Sequence, residues 1–174
     1  EISSPAARLR AVLARPGIRP MPCCFDALSA RLIERAGFEL TFMSGFAVSA
    51  ARAGLPDTGL PSYGEMVDVG QAITSAISLP VIGDGDTGYG NAMNVKRTVR
   101  GYARAGFACV MIEDQLAPKR CGHTRGKDVV GRSEAEGRQV ALRRFGSQAQ
   151  EILALDEAVS LIRGQATPPD LITA

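Results

Sequence analysis

The chain has 174 residues, 20 Lys or Arg against 18 Asp or Glu, a net charge of +2 and 45% hydrophobic residues. That composition suits one sizeable core, and with 5% aromatics it excludes a general nucleic-acid binder, which would pair a basic patch with stacking residues. Apolar runs of about ten residues or fewer are too short to span a membrane, and the opening "EISSPAARLRAVLARPG" has no signal-peptide core, so the four cysteines are expected to be reduced thiols in a cytoplasmic protein.

A first strand is expected at about 20–24 ("PMPCC"), followed by a helix over 26–36 with Asp26 as its N-cap. "ERAGFELTFMSG" (34–45) and "ARAGFACVMIED" (103–114) then echo each other: a helix end, Arg-Ala-Gly-Phe, an apolar strand and polar residues. Gly37 and Gly106 stand where a helix takes a left-handed C-terminal cap. The uninterrupted apolar runs after them predict strands buried on both faces, and Cys23, Cys24 and Cys109 are expected to be small core residues. Ser62 and Glu65 have capping-box spacing before a helix that runs to about residue 77. "AISLPVIGDGD" (76–86) repeats the helix-to-strand pattern, and a further helix is expected over 92–105. This β-α-β-(loop)-α-β-α-β order implies a parallel sheet with right-handed crossovers, an α/β fold.

Chemistry in such folds gathers at the carboxyl ends of the strands. Those positions carry Asp26, Ser44-Gly45, Asp84 with Asp86, and Glu113-Asp114. "GDGDTG" (83–88) has the form of a dinucleotide fingerprint, but Asp84 and Asp86 would repel a pyrophosphate and no helix is expected to start before about residue 92. The i,i+2 spacing of Asp84 and Asp86 at a strand end instead lets both carboxylates point to one side, with Glu113 from the next strand end. Like charges so gathered need neutralising, and hard oxygen donors favour Mg²⁺; the competing reading is that each acid simply caps nearby backbone N–H groups. Beside them, "KRCGHTRGK" (119–127) holds the only histidine, His123, near Cys121 and among Lys119, Arg120, Arg125 and Lys127. This segment is too broken for a helix and suits a loop that folds over an anion. The cations favour ionisation of the Cys121 thiol, which suits acid–base work, and a zinc site built on Cys121 and His123 lacks further ligands at useful spacing.

"TFMSG" (41–45), "GLPD" (54–57), "GDGDTGYGN" (83–91), "IEDQ" (112–115) and "KRCGH..GK" (119–127) together resemble the isocitrate lyase/phosphoenolpyruvate mutase superfamily, over about residues 8–134. The resemblance implies a parallel (β/α)8 TIM-type barrel, about half of it evident here, and Mg²⁺-dependent chemistry with Mn²⁺ as a substitute. It casts Asp57, Asp84, Asp86 and Glu113 as metal-holding acids. Phe42, Ser44, Gly45, Asp84, Gly122 and His123 would bind substrate, Phe42 standing where lyases of the group commonly have Tyr. "KRCGH" resembles the lyase gating loop, with Lys119, Cys121 and His123 catalytic and Cys121 protonating the departing enolate. The implied reaction is carbon–carbon cleavage of a small 2-hydroxy or 2-oxo dicarboxylate of the methylisocitrate, alkylmalate or oxaloacetate type. Oxaloacetate decarboxylation, phosphonomutase chemistry and an inactive half-barrel serving as an assembly module are the alternatives. Residues 135–174 read as a helical tail outside the resemblance. A complete barrel takes about 250 residues, and four parallel strands leave an open edge, so a homo-oligomer, a dimer or tetramer, is expected.

Overall fold

The computed structural model describes residues 3–122, 124–131, 139–143 and 150–154. The chain divides into two compact units, Glu1–Asp128 and Val129–Ala174. In the first, α1 (Pro5–Leu13) precedes β1 (Cys23–Cys24), α2 (Ala27–Arg35), β2 (Thr41–Met43) and α3 (Gly45–Val48). A π-helical turn (Ser49–Ala53) continues α3, and α4 (Tyr63–Ala76), β3 (Val81–Asp84), α5 (Ala92–Arg104) and β4 (Cys109–Met111) complete the unit. The four strands form one parallel sheet in the order β1-β2-β3-β4.

Local chemistry explains most of these boundaries. Asp26, Ser62 and Asn91 cap α2, α4 and α5, each in a reciprocal capping box. Gly37 and Gly106 end α2 and α5 at φ of 85° and 91°, a region open to glycine at little cost. At the start of α4, the Glu65 carboxylate accepts from the Ser62 amide at 2.7 Å while the Ser62 hydroxyl accepts from the Glu65 amide at 3.3 Å. Ser62→Ala is therefore expected to cost about 1 kcal/mol, and Ser62→Gly only a few tenths, read as shifts in urea midpoint. Equal midpoints for Ser62→Ala and the unsubstituted chain would mean that α4 does not need its cap.

The core lies on one face of the sheet. Cys24, Met43 and Val81 pack there against Ala30 and Ile33 of α2, Met66 and Ile73 of α4, and Tyr102 of α5. The opposite face carries the row Cys23, Phe42, Ile82 and Cys109, set by the strand register. Cys23 and Cys109 are exposed, and Phe42 and Ile82 are half-buried. The strands are thus covered on one side only, which corrects the expectation of burial on both. It also moves Cys23 and Cys109 out of the core, because they sit on the two edge strands and point away from the helices. Only Cys24 is a core thiol.

In the second unit, β5 (Gln139–Arg143) and β6 (Gln150–Ala154) pair antiparallel, Gln139 opposite Ala154 and Arg143 opposite Gln150. These strands stand where the sequence suggested helix. "QVALR" and "QEILA" each centre on apolar residues of strand length, a pattern that local periodicity does not separate from a short helix.

Candidate active site

Three chain segments bring acids together. Gly54, at φ 64°, ends the π-helical turn, and the Ser49 hydroxyl lies 3.1 Å from the Leu55 carbonyl and 3.2 Å from that of Pro56. This pins the segment leading to Asp57. Asp84 closes β3, and Asp86 follows in a left-handed turn at φ 47°, a conformation Asp tolerates better than most residues. The Glu113 amide donates to the Asp86 carbonyl at 2.7 Å, which ties the end of β4 to that turn.

Between these acids sits Lys119. Its ammonium donates to Asp57 Oδ1 at 2.7 Å, pairs closely with Asp86 and lies 4.0 Å from Glu113 Oε1. Lys119 is 5% exposed, Asp84 7% and Asp86 6%. Burial by itself would push the Lys119 ammonium down, but its bonds to Asp57 and Asp86 win and hold it above the ordinary lysine range. Burial pushes the Asp86 carboxyl up, against the pull of Lys119, and repulsion from Asp84 and Asp57 adds to it.

Asp84 does different work. Its Oδ2 accepts from the Gly45 amide at 2.9 Å and its Oδ1 from the Asp86 amide at 3.0 Å. The two carboxylates are thus not side by side on a strand: Asp86 lies beyond β3, and Asp84 is the acceptor that shapes its turn. A Cβ on residue 45 would stand 2.7 Å from Asp84 Oδ2, so only glycine permits this approach. Below, the Tyr102 hydroxyl donates to the Asp84 carbonyl at 2.7 Å and shares a hydrogen bond of 3.1 Å with Tyr89. Burial raises both phenols, so both remain protonated.

The basic segment after β4 is a loop, as expected. The Leu116 amide donates to the Asp128 carbonyl at 2.8 Å and closes its base. Gln115 grips the Arg120 backbone from both sides, accepting from its amide at 3.1 Å and donating to its carbonyl at 3.0 Å, and also bonds Glu113. A cavity of about 510 Å³ lies under the loop, lined by Phe46, Asp57, Thr58, Lys119, Cys121 and Thr124 among others. That volume is ordinary for a small-molecule site.

Of the residues expected from sequence, Asp57, Asp86, Glu113 and Lys119 therefore meet, and Asp84 abuts them through the backbone. Cys121 lines the cavity and is half-buried. Ser44 caps α3, its hydroxyl accepting from the Ala47 amide at 3.3 Å, and keeps its own O–H to donate. The Gly45 amide is already engaged by Asp84, and the Gly122 carbonyl accepts from Lys127. Phe42 lies on the open face of the sheet, and His123 lies outside the described residues. Asp26 is an exposed helix cap, its carboxyl held below the usual range by the Ser29 amide. Sequence reasoning missed Gln115, although it closes the "IEDQ" motif, and it missed Tyr102, for which no local signal exists.

The donors offered by Asp57, Asp84, Asp86 and Glu113 are all carboxylate oxygens; three of the acids face one ammonium and Asp84 accepts from backbone amides beside them, so the set is under-neutralised and fits a hard divalent cation. Among the described residues, no three acid, His or Cys side chains stand as a ready-made metal cage; the Lys119 ammonium lies between the acids instead.

A parallel β/α sheet with acids and a basic loop at the carboxyl ends of its strands is the architecture of a β/α-barrel enzyme, present here as about half a barrel. The chain belongs to the phosphoenolpyruvate phosphomutase family, whose model matches residues 9–158, and with it to the isocitrate lyase/phosphoenolpyruvate mutase superfamily. The match runs past residue 134, about where the resemblance read from the motifs ends. It is 44% identical over 133 residues to 2,3-dimethylmalate lyase of Eubacterium barkeri, covering 76% of this chain and 46% of that one. Oxaloacetate acetylhydrolase in complex with 3,3-difluorooxalacetate superposes with a TM-score of 0.71 at 40% identity, over 75% of this chain and 45% of that one. Phosphonopyruvate hydrolase complexed with oxalate and Mg²⁺ superposes with a TM-score of 0.63 at 36% identity, over 67% of this chain and 41% of that one. The chain thus spans less than half the length of each of these relatives. Among the described residues, no helix is long and apolar enough to cross a membrane.

Proposed function

We propose that the protein is a Mg²⁺-dependent carbon–carbon lyase of a small 2-hydroxy or 2-oxo dicarboxylate, with Mn²⁺ as a substitute. The observation that carries this reading is the cavity where a thiol-bearing basic loop meets the acid cluster, lined by Cys121, Lys119 and Asp57. Asp57, Asp84, Asp86 and Glu113 would hold the cation. When bound, it supplies Lewis-acid stabilisation of the oxyanion that develops as the carbon–carbon bond breaks.

The chain's own residues do the rest. Arg120, at the cavity wall, attracts a substrate carboxylate. The Ser44 hydroxyl is free to donate to a substrate oxygen at the end of β2. Phe46, Pro56 and Pro118 line the cavity with apolar surface. The 2-hydroxyl (for a 2-oxo substrate, that of its hydrate) gives its proton to water and collapses to a carbonyl as the carbon–carbon bond breaks; the pair of the broken bond passes to the departing fragment, and Cys121 Sγ delivers the proton that this carbon accepts. The apolar row Cys23, Phe42, Ile82 and Cys109 supports a homo-oligomer that covers the open face, which light scattering tests directly: a clean monomer contradicts it. We further place the protein in the cytoplasm, with no nucleic-acid partner.

The experiment is a proton-NMR screen of the purified chain, with and without Mg²⁺, against 2-methylisocitrate, isocitrate, 2-alkylmalates and oxaloacetate. An oxoacid and a second carboxylate, formed only with Mg²⁺, is the expected result. Pyruvate with CO₂ from oxaloacetate would move the assignment to decarboxylation. Phosphonomutase chemistry, the reaction in the family's own description, is read on a phosphonate panel by phosphorus NMR. No turnover at all would favour the assembly-module reading.

A further inference from the structure

Lys119 occupies a position that the proposed chemistry does not need in the absence of substrate. Its ammonium bonds or pairs with Asp57 after the π-helical turn, Asp86 after β3 and Glu113 after β4, acids contributed by three separate segments. Its stem packs against Gly59, where an added Cβ would stand 3.5 Å from Lys119 Cβ. A buried lysine held in this way is a cation tethered among the oxygens that a divalent ion would use.

We propose that Lys119 is a built-in substitute for the metal: its ammonium neutralises the acid cluster in the metal-free protein, and binding of a divalent cation expels it. The inference rests on reading these acids as a divalent-cation site. Mg²⁺ draws its oxygen ligands to about 2.0–2.1 Å. An ammonium that remained in contact with the same oxygens would then face a doubly charged ion at close range in a buried site, where repulsion is strong. Exchange is favourable because one positive charge is replaced by two against four carboxylates. Displacement also has a mechanical consequence. Lys119 precedes Arg120 and Cys121 directly, and Arg120 is clasped by Gln115, whose other bond is to Glu113. A cation on Glu113 and a departing Lys119 both pull on that clasp, so metal entry loosens the backbone that carries Cys121. The protein would thereby keep its acid–base thiol in a metal-free setting until the cation has arrived.

The alternative is that Lys119 is a permanent counter-ion which stays in place whether or not a metal is bound. Mn²⁺ binding to the full chain, followed by electron paramagnetic resonance of the free ion, separates the two for the unsubstituted chain, Lys119→Met and Lys119→Arg. Lys119→Met is expected to bind at least ~10-fold more tightly than the unsubstituted chain, because the competing buried pair is gone, and Lys119→Arg is expected to stay close to it. Binding by Lys119→Met alone would be the same result in its strongest form. Equal or weaker binding by Lys119→Met overturns the substitution and leaves the metal site standing. If no form binds Mn²⁺, the metal reading itself fails and takes this inference with it. The second measurement needs no variant and decides the matter should Lys119→Met not fold. Amide hydrogen exchange of residues 119–122 in the unsubstituted chain is expected to speed up several-fold when saturating Mg²⁺ is added. Unchanged or slower exchange in metal-loaded protein would show that Lys119 and its clasp remain in place.

Discussion

Cys121→Ser is expected to lower turnover in the proposed cleavage reaction by about 10²–10⁴-fold, the usual contribution of a positioned acid–base group, while Mg²⁺-dependent binding of oxalate changes little. The hydroxyl fills nearly the same space in the cavity wall, and the charged residues beside it, Lys119 and Arg120, are untouched. What the substitution removes is the thiol to which the proton transfer is assigned. Single-turnover kinetics with the best substrate from the NMR screen and calorimetric titration with oxalate read the two quantities separately. A parallel fall in both would show that Cys121 organises the loop instead of transferring a proton.

Asp84→Ala is expected to be the most damaging single change to stability at the site. It strips the acceptor from two buried amides, Gly45 and Asp86. Each such loss costs roughly 1–3 kcal/mol, and relief of repulsion with Asp86 returns part of it, so a net loss of about 2–4 kcal/mol is expected. Asp84→Asn keeps one carbonyl oxygen as acceptor and should lose about half as much. Urea midpoints at constant slope measure both. If Asp84→Ala unfolds with the unsubstituted chain, the carboxylate is not the organiser of the Gly45 and Asp86 backbone, and its role lies wholly with the ligand.

The parallel sheet was legible because each unit repeats a local rule. A capped helix ends in glycine at positive φ, and a short apolar run follows, at Gly37 and again at Gly106. Capping at Asp26 and Ser62 was legible for the same reason, since its partners lie three residues away. Two helical segments were not. In α1, arginines alternate with small apolar residues and bury only Leu9, which leaves little amphipathic signal. The stretch from α3 through the π-helical turn is a run of small residues after a strand end, without the apolar spacing that marks a buried helix face. The one-sided burial of the strands was also hidden, because an apolar run looks the same whether its second face is covered or open.

The sequence by itself determined which residues stand at the strand ends and that the segment after Glu113 is a basic loop, since both follow from hydrophobic runs and their punctuation. The division of labour among the acids was decided only in three dimensions. Asp84 and Asp86 look alike two residues apart, yet the positive φ at Asp86 turns one toward Lys119 and leaves the other bonded to backbone amides. Lys119 and Asp57 are 62 residues apart, and nothing local to either announces the pair. Charges separated so far along the chain acquire partners only when the sheet has set its strands side by side, because it is the register of β3 beside β4 that places Asp86 and Glu113 around one buried ammonium.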